Sequence, residues 1–171
     1  MKKILVMASG NGSNFEAIVE YFKNKDVEIE LLCNIEGANV INRAKRLNIK
    51  YYRVGFCDTY EFLREKKYDL YVLAGYMQIL PHNILALGRF VNIHPSLLPQ
   101  FKGIDAIKRA YLSNAKETGV TVHYVDDKVD SGEIITSEKC KIEPDMTLKD
   151  LEEKIHSIEH KLYPRVIEEI L

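Results

Sequence analysis

Residues 3–18, KILVMASGNGSNFEAI, combine a short apolar run, a glycine-containing loop and the start of an amphipathic segment. The run at 3–8 predicts a strand buried on both faces, because it shows no alternation with polar residues. Apolar side chains recur at helical spacing within 14–24, which predicts a helix directly after the loop. A buried strand followed by a helix is the repeating unit of an α/β sheet, so this stretch indicates the fold class.

The rest of the chain repeats this unit. Short apolar runs alternate with amphipathic segments, which predicts one α/β domain over 1–171, an open, twisted, mostly parallel sheet of Rossmann-like type with helices on both faces. The last two of about seven strands have no helix between them and should form an antiparallel pair at one edge. The predicted later strands are 27–34, 50–55, 68–75, 89–94, 119–125 and 132–142, and the later helices are 38–48, 59–67, 104–114 and 148–171, the last bent at Pro164.

The composition is that of an ordinary globular chain, with 171 residues, 46% apolar and 29% charged. A net charge of −1 gives no general attraction for nucleic acid or anionic membranes, so an anionic ligand needs a local binding device. Cys33, Cys57 and Cys140 show no C-x-x-C spacing, which argues against a disulfide framework and fits a reducing cytoplasm. The apolar runs are too short to span a bilayer, and the first lacks the cleavage site of a signal peptide.

The loop after the first strand is a candidate anion site. Gly10 and Gly12 allow close approach of backbone to a ligand, and Ser13 or Asn14 can cap the helix. Phe15 stands where a dinucleotide-binding loop needs its third glycine, and no Gly-Lys-Ser/Thr of a Walker A motif follows. Free N–H groups at the helix N-terminus therefore suit a single phosphate. A tight, capped strand-to-helix turn is the alternative interpretation.

A second polar feature lies in VNIHPSLLPQFKG, residues 91–103. Asn92 and His94 are two residues apart, so a strand at 89–94 projects both from one face at its carboxyl end. Pro95 ends the strand because it has no N–H to donate. Open α/β sheets place their ligands at this edge, although a hydrogen-bonded core histidine beside a turn asparagine would give the same pattern.

Three aspartates, Asp126, Asp127 and Asp130, lie in the loop between the last two strands. Asp130 stands directly before a Ser-Gly pair, at the turn into the final strand, where its carboxylate could reach His94. This contact is expected to raise the pKa of the histidine and to keep the aspartate ionised. A metal site is the alternative for histidine with aspartates, but no second histidine has a suitable spacing.

The other histidines receive structural interpretations. His82 follows Pro81 and is expected in a turn, and His123 is expected within a strand as a core or edge residue. His156 and His160 share one face of the last helix at i, i+4. Because no third ligand lies nearby in the sequence, a surface pair is favoured over a metal site for these two residues.

Five segments together resemble the folate-dependent formyltransferases, over essentially the whole chain. The Asn-x-His motif with its SLLP tail and the V-D-x-G loop are shared by that wider group. The first loop and the EHKLYP helix point to its glycinamide ribonucleotide branch. The segments are GNGSN after the first strand, VLAGYMQIL (72–80), NIHPSLLPQFKG (92–103), GVTVHYVDDKVDSGEII (119–135) and EHKLYPRVI (159–167).

The resemblance implies transfer of a formyl group from 10-formyltetrahydrofolate, as co-substrate, to the primary amine of glycinamide ribonucleotide in de novo purine biosynthesis. The amine attacks directly through a tetrahedral oxyanion intermediate. It further implies no metal, no nucleic acid or membrane partner, a monomer or homodimer, and a cytoplasmic location. Residues 1–88 are expected to carry phosphate and nucleotide binding, and residues 89–171 catalysis and folate binding.

The resemblance also implies residue roles. Asn92, His94 and Asp130, called the trio below, match the catalytic positions; the first two would donate to the oxyanion, and Asp130 would hold His94 protonated. Glu159 matches a contact to the ribose hydroxyls. The implied phosphate residues are Gly12, Ser13 and Asn14, and the implied folate residues are Tyr76, Gln78, Ile79, Leu80, Asn92, Val125, Asp126 and Asp130.

The chain departs from the family pattern near the predicted folate site. Gln78 stands where arginine is frequent, and Ser131 and Glu133 replace more usual residues in the aspartate loop. Formyltetrahydrofolate hydrolase and other folate-dependent formyltransferases are alternatives, although hydrolases normally carry an N-terminal regulatory domain and methionyl-tRNA formyltransferases a C-terminal one. A non-catalytic phosphate- or folate-binding module is the alternative from another class, and the intact trio argues against it.

Overall fold

The computed structural model of the chain describes residues 1–171 as seven strands and six helices. A short 3₁₀ turn at Phe56–Asp58 precedes the third helix. The strands are β1 (Lys2–Ala8), β2 (Val27–Cys33), β3 (Lys50–Arg53), β4 (Leu70–Leu73), β5 (Phe90–His94), β6 (Glu117–Tyr124) and β7 (Ile134–Lys141). The helices are α1 (Ser13–Phe22), α2 (Asn39–Arg46), α3 (Thr59–Arg64), α4 (His82–Leu85), α5 (Ala106–Leu112) and α6 (Leu148–Ile170).

The strands form one sheet in the order β3-β2-β1-β4-β5-β6-β7. The pairs β2–β3, β1–β2, β1–β4 and β4–β5 are parallel. β6 and β7 are antiparallel to each other, and β6 is also antiparallel to β5. The predicted mostly parallel sheet with an antiparallel pair at one edge is therefore confirmed.

Side chains of the central strands alternate between two apolar layers. In β1, Ile4, Val6 and Ala8 belong to a core of 26 buried residues on one face. Leu5 and Met7 belong to a second core of 10 buried residues on the other face. Residues of α1, α2, α5 and α6 pack on the first core, and residues of α3 and α4 on the second. Because both faces are covered, β1 has no polar face, as its continuous apolar run predicts.

The structure differs from the sequence prediction most at α4, which was not predicted, and by one to three residues at the ends of other elements. The prediction of a turn at His82 is wrong, because His82 begins α4. A four-residue helix is too short for its apolar period to be recognised in the sequence. The last strand begins at Ile134, two residues later than predicted, and α6 continues past Pro164 to its end at Ile170. No helix combines the length and apolar character that crossing a membrane requires.

Tyr163 holds α6 against the strand ends. Its side chain is fully buried, and its hydroxyl donates to the Leu73 carbonyl at 2.8 Å and lies 3.1 Å from the Val91 carbonyl. These two carbonyls belong to the last residue of β4 and to a residue of β5. The contact therefore positions the preceding turn of α6, which carries Glu159, near the carboxyl edge of the sheet.

Candidate active site

The loops that follow β1 and β4 are joined at the carboxyl edge of the sheet. The Ser9 hydroxyl donates to Asn34 Oδ1 at 2.6 Å and accepts from the Met77 N–H at 2.9 Å. The Ser9 N–H donates to the Gly75 carbonyl at 3.0 Å. These contacts hold the glycine-containing loop beside the segment that is predicted to bind folate.

The predicted phosphate loop leads into α1 with unused donors. Gly12 occupies the N-cap position with a φ of 79°, and the first helical hydrogen bond runs from the Glu16 N–H to its carbonyl at 3.0 Å. The N–H groups of Ser13, Asn14 and Phe15 consequently have no partner within the helix. Such a set of free N–H groups at a helix N-terminus is suited to binding a phosphate.

Gly12 has no space for a side chain. A Cβ atom at this position would lie 2.4 Å from Val40 Cγ2 and 2.9 Å from its Cα. We expect Gly12→Ala to lower the free energy of unfolding by about 2–4 kcal/mol, because crowding adds to the strain of a left-handed backbone. Gly37 has a φ of 73° and open space around it, so Gly37→Ala should cost only about 1 kcal/mol. Urea unfolding checks this, and equal losses in the two variants would contradict the crowding at Gly12.

Arg43 of α2 supplies positive charge beside the phosphate loop. Its Nε donates to the Asn11 carbonyl at 2.8 Å, and its Nη2 to Asn11 Oδ1 at 3.3 Å. It also pairs with Glu16 in the first turn of α1. The sequence analysis missed Arg43, because an arginine on an amphipathic helix carries no motif that marks it.

The side chain of Glu159 in α6 forms a hydrogen bond with the side chain of Asn14 in the first turn of α1. Glu159 is 5% exposed; burial raises the pKa of its carboxyl to about 7, and the hydrogen bond with the Asn14 side chain opposes that rise. The Oδ1 atom of Asn14 is buried and has no hydrogen-bond partner. The pair therefore presents acceptor oxygens that a ligand carrying hydroxyl groups can use.

The raised pKa of Glu159 gives a prediction about stability. Between the ordinary pKa of glutamate and about pH 7, the folded chain holds a proton that the unfolded chain has lost, so rising pH destabilises the fold. Glu159→Gln removes this titration. Between about pH 5 and about pH 8, the wild type should lose about 2 kcal/mol of unfolding free energy through this titration, and the variant should not.

Urea unfolding at the two pH values checks this expectation. Glu169 is exposed on the same helix, so Glu169→Gln is the matched control and should follow the wild type at both pH values. A Glu159→Gln variant with the same pH dependence as the wild type would show that the carboxyl keeps its ordinary pKa.

The members of the trio converge at the end of β5. His94 Nδ1 lies 3.3 Å from Asp130 Oδ2, and the two side chains are only 7% and 10% exposed. Asn92 Nδ2 lies 3.2 Å from Nε2 of His123, which in turn lies 3.6 Å from Asp130 Oδ1. The structure therefore brings together the three predicted residues and adds His123, which the sequence analysis treated only as a core or edge residue.

The orientation of the two imidazole rings follows from their backbone acceptors. His94 Nε2 donates to the Phe101 carbonyl at 2.8 Å, which leaves Nδ1 facing Asp130. His123 Nδ1 donates to the Tyr124 carbonyl at 2.8 Å, so in the neutral ring Nε2 accepts from the Asn92 amide. Because that amide has two N–H groups, one remains free for a ligand.

Asp130 raises the pKa of His94, as predicted, but the pKa of the ring is still lower than its ordinary value. Burial lowers the pKa of His94, and this effect outweighs the Phe101 carbonyl and the Asp130 carboxylate, which raise it. The charges of His123 and Arg109 lower it further. A pKa below the ordinary value of histidine makes the neutral form of the ring predominant near pH 7.

The second half of the expectation holds, because Asp130 stays ionised. Burial alone would raise the pKa of its carboxyl, but the His123 ring, the Gly103 N–H and the charge of His94 together lower it. The Gly103 N–H donates to Oδ2 at 2.7 Å. Asp130 also has a φ of 47°, a backbone conformation that is uncommon for residues other than glycine and that concentrates at functional sites.

The predicted folate residues fall into buried and exposed positions. Tyr76 and Leu80 are buried in the second core, so their side chains support the segment from within. Ile79 is 62% exposed, and other apolar residues in the loops at this edge are also exposed. Gln78, Val125 and Asp126 are half-buried, and Asp126 accepts from the Ser131 hydroxyl and the Lys128 N–H. The exposed apolar residues are Met77, Ile79, Ile104 and Val129.

The two histidines of α6 lie outside the trio. His156 is exposed, and its ring stacks on that of His160 with 6.5 Å between the ring centroids. Burial lowers the pKa of His160, and the charges of His156 and Arg43 lower it further. No group of three or more His, Cys, Asp or Glu side chains is arranged to hold a metal ion.

Comparison with known proteins shows similarity to formyl transferases along nearly the whole chain. Residues 2–167 match the family described as formyl transferase. The chain is 41% identical to the phosphoribosylglycinamide formyltransferase of Bacillus subtilis, and the match covers all of this chain and 95% of that protein. It is 33% identical to the trifunctional purine biosynthetic protein adenosine-3 of Homo sapiens, over 97% of this chain and 18% of that protein. The crystal structure of glycinamide ribonucleotide transformylase 1 from Geobacillus kaustophilus superposes with a TM-score of 0.92 at 42% identity, covering 100% of this chain and 99% of that one.

Proposed function

The chain belongs to the formyl transferase family, and we propose that its substrates are 10-formyltetrahydrofolate and glycinamide ribonucleotide. It is an enzyme of formyl transfer in purine biosynthesis, as its relatives in Bacillus subtilis and Homo sapiens are named for this reaction and this pathway. The products are then N-formylglycinamide ribonucleotide and tetrahydrofolate. The meeting of Asn92, His94 and Asp130 at the carboxyl end of β5 is the observation that carries the proposal, and the free N–H groups at the start of α1 support it.

The proposed reaction begins when the substrate amine attacks the formyl carbon. A C–N bond forms, the carbonyl π electrons move to oxygen, and the amine nitrogen carries an extra proton. The free N–H of Asn92 donates to the resulting oxyanion. Nδ1 of His94 and the Asp130 carboxylate lie 3.3 Å apart near the attacking amine of the proposed complex. This pair of groups accepts the extra proton of the amine nitrogen, directly or through a water molecule.

The neutral state of His94 in the free chain fits this sequence of events. A ring that is already charged could not accept the proton from the amine, whereas a neutral Nδ1 can. The developing oxyanion then adds negative charge beside the ring, which favours the imidazolium form and gives a second, charge-assisted donor. Return of the proton to N10 of the folate accompanies breakage of the C–N10 bond, so no group on the protein is consumed.

The nucleotide end of the substrate would bind on the other side of this edge. We expect the phosphate at the N–H groups of Gly12, Ser13 and Asn14, with Arg43 adding positive charge. Glu159 and the unused Oδ1 of Asn14 would accept from the ribose hydroxyls. Residues 1–88 would thus supply most phosphate contacts, and residues 89–171 the catalytic residues.

The folate is expected to lie along the exposed apolar residues of the same edge. Flat, partly apolar ligands gain affinity from such a rim, and isolated monomers rarely expose several apolar side chains together without function. Gln78, Val125 and Asp126 would give polar and backbone contacts, as Asn92 and Asp130 would at the transferred group. The apolar part would be Met77, Ile79, Ile104 and Val129, with Tyr76 and Leu80 supporting the segment.

The proposed reaction needs no metal ion, since the amine is already a good nucleophile and the oxyanion has two donors. We expect an enzyme that works in the cytoplasm, as a monomer or homodimer, on small molecules without a nucleic acid or membrane partner.

An assay with and without the amine acceptor tests the proposal. Tetrahydrofolate should form from 10-formyltetrahydrofolate only when glycinamide ribonucleotide is present, with one formylated product for each folate released. Folate release at the same rate in water alone would indicate a hydrolase. Binding of both ligands without turnover would indicate a non-catalytic binding module, and either result would contradict the proposed transfer.

A further inference from the structure

Arg109 of α5 makes an unusual set of contacts for an exposed side chain. Its Nε donates to the Ile104 carbonyl at 3.0 Å, and its Nη2 donates to the carbonyls of Phe101, at 3.1 Å, and Lys102. All three acceptors belong to the loop between β5 and α5. The planar guanidinium has several donors in a fixed arrangement, so one side chain can hold several carbonyls of a loop at once.

This loop has a backbone that needs external support. Phe101 and Asp105 have φ values of 52° and 55°, in the left-handed region that is unfavourable for residues with a Cβ atom. Gly103 between them has a φ of 80°. Backbone conformations of this kind persist only where surrounding contacts hold them. The contacts from Arg109 are on both sides of Gly103.

The same loop also holds two members of the trio. The Phe101 carbonyl accepts from His94 Nε2 at 2.8 Å, and the Gly103 N–H donates to Asp130 Oδ2 at 2.7 Å. The carbonyl that orients the His94 ring is therefore the one that Arg109 contacts. A shift of this loop would release Nε2 and turn Nδ1 away from the reacting atoms.

From this chain of contacts we infer that Arg109 is a positioning residue for formyl transfer. Through the 101–104 loop, it keeps the proton of neutral His94 on Nε2 and keeps the Asp130 carboxylate oriented towards Nδ1. It does not contact the substrates. Loss of Arg109 should therefore lower kcat while KM for glycinamide ribonucleotide changes little, because the phosphate loop is not part of the 101–104 loop. KM for the folate should rise, because Ile104 of the 101–104 loop lies in the proposed folate site.

The test combines kinetics with nitrogen NMR of the histidine rings in the full chain. In Arg109→Ala, we expect kcat to fall by about 10- to 100-fold and KM for glycinamide ribonucleotide to stay within about twofold. The ring nitrogens of His94 should report a single Nε2–H form in the wild type and a mixture of the two neutral forms in Arg109→Ala. Arg109→Lys keeps the charge without the planar fork, and its kcat should lie between those of the wild type and Arg109→Ala.

Lys108 is the matched control, since it is the exposed cation next to Arg109 on the same helix and makes no side-chain hydrogen bond or ion pair. Lys108→Ala should leave kcat and the His94 signals unchanged. Wild-type kcat in Arg109→Ala, or a loss of kcat with unchanged His94 signals, would overturn the inference. The kinetic part rests on the proposed function, whereas the NMR part does not. A wild-type chain without transfer activity would therefore contradict the function and leave the positioning role to be decided by the NMR signals.

Discussion

The Asp130→Asn variant is expected to lose at least about 1000-fold in kcat for formyl transfer, the largest single effect in this site. Asp130 is the only carboxylate that faces His94 Nδ1, at 3.3 Å, and it is held there by the Gly103 N–H. An amide of the same size fills the same space but cannot stabilise the proton that leaves the amine. Fold and substrate binding should persist, so the loss should appear in kcat.

The pH profile separates this role from a merely structural one. Asp130 raises the pKa of His94 against the effect of burial, so its neutralisation lowers that pKa further. Because the neutral ring is the form that accepts the proton of the amine, protonation of His94 limits kcat at low pH, and this acid limb of the kcat profile should move to lower pH. Asp127 is an exposed aspartate of the same loop, so Asp127→Asn should leave rate and profile unchanged. A profile that does not move in Asp130→Asn would count against the pairing.

The Asn92→Ala variant is expected to lose about 100- to 1000-fold in kcat, which corresponds to about 3–4 kcal/mol of transition-state stabilisation. Asn92 Nδ2 lies 3.2 Å from His123 Nε2, and this contact fixes the amide so that its second N–H is free for the oxyanion. Because the oxyanion exists only after attack, KM for both substrates should stay within about threefold. Steady-state kinetics with each substrate varied in turn gives both constants.

Asn83 is the matched control for this variant, because it is exposed on α4 and makes no side-chain hydrogen bond. Asn83→Ala should keep the wild-type kcat. A rise in KM at constant kcat in Asn92→Ala would assign Asn92 to ground-state binding and remove it from the oxyanion site. Heat denaturation of each variant shows whether the fold has been kept.

Much of the fold could be predicted because its signals are repetitive. β1 and β4 are buried on both faces, so their sequences are continuous apolar runs. In the helices between them, apolar side chains recur at helical spacing. The antiparallel edge followed from the missing helix between β6 and β7. The helix at His82–Leu85 escaped prediction because one turn has no period to detect.

The site was predictable where a motif stands at a strand end, as Asn92 and His94 do. Residues that enter through tertiary contacts were not. His123 lies opposite Asn92 in the β5–β6 register, a pairing that sequence periodicity does not specify. Arg43 and Arg109 act from helix surfaces through backbone acceptors, which leave no trace in residue type or spacing.

The pKa of His94 could not be predicted from the sequence for a different reason. Its direction depends on a balance between burial and the Asp130 carboxylate, and sequence indicates the partner but not the depth of burial. The pairing with Asp130 was predicted, while the larger cost of removing the charged ring from water was not. The free enzyme therefore holds His94 in the form that can accept a proton.

The most direct test of the proposed site is a crystal structure with glycinamide ribonucleotide and an unreactive folate whose carbonyl oxygen stands in for the transferred formyl oxygen. The proposal predicts that Asn92 Nδ2 and His94 Nδ1 both lie within about 3.2 Å of that oxygen, with the Asp130 carboxylate still beside the ring. An oxygen that neither group contacts, with Asp130 turned to solvent while both ligands are bound, would contradict it.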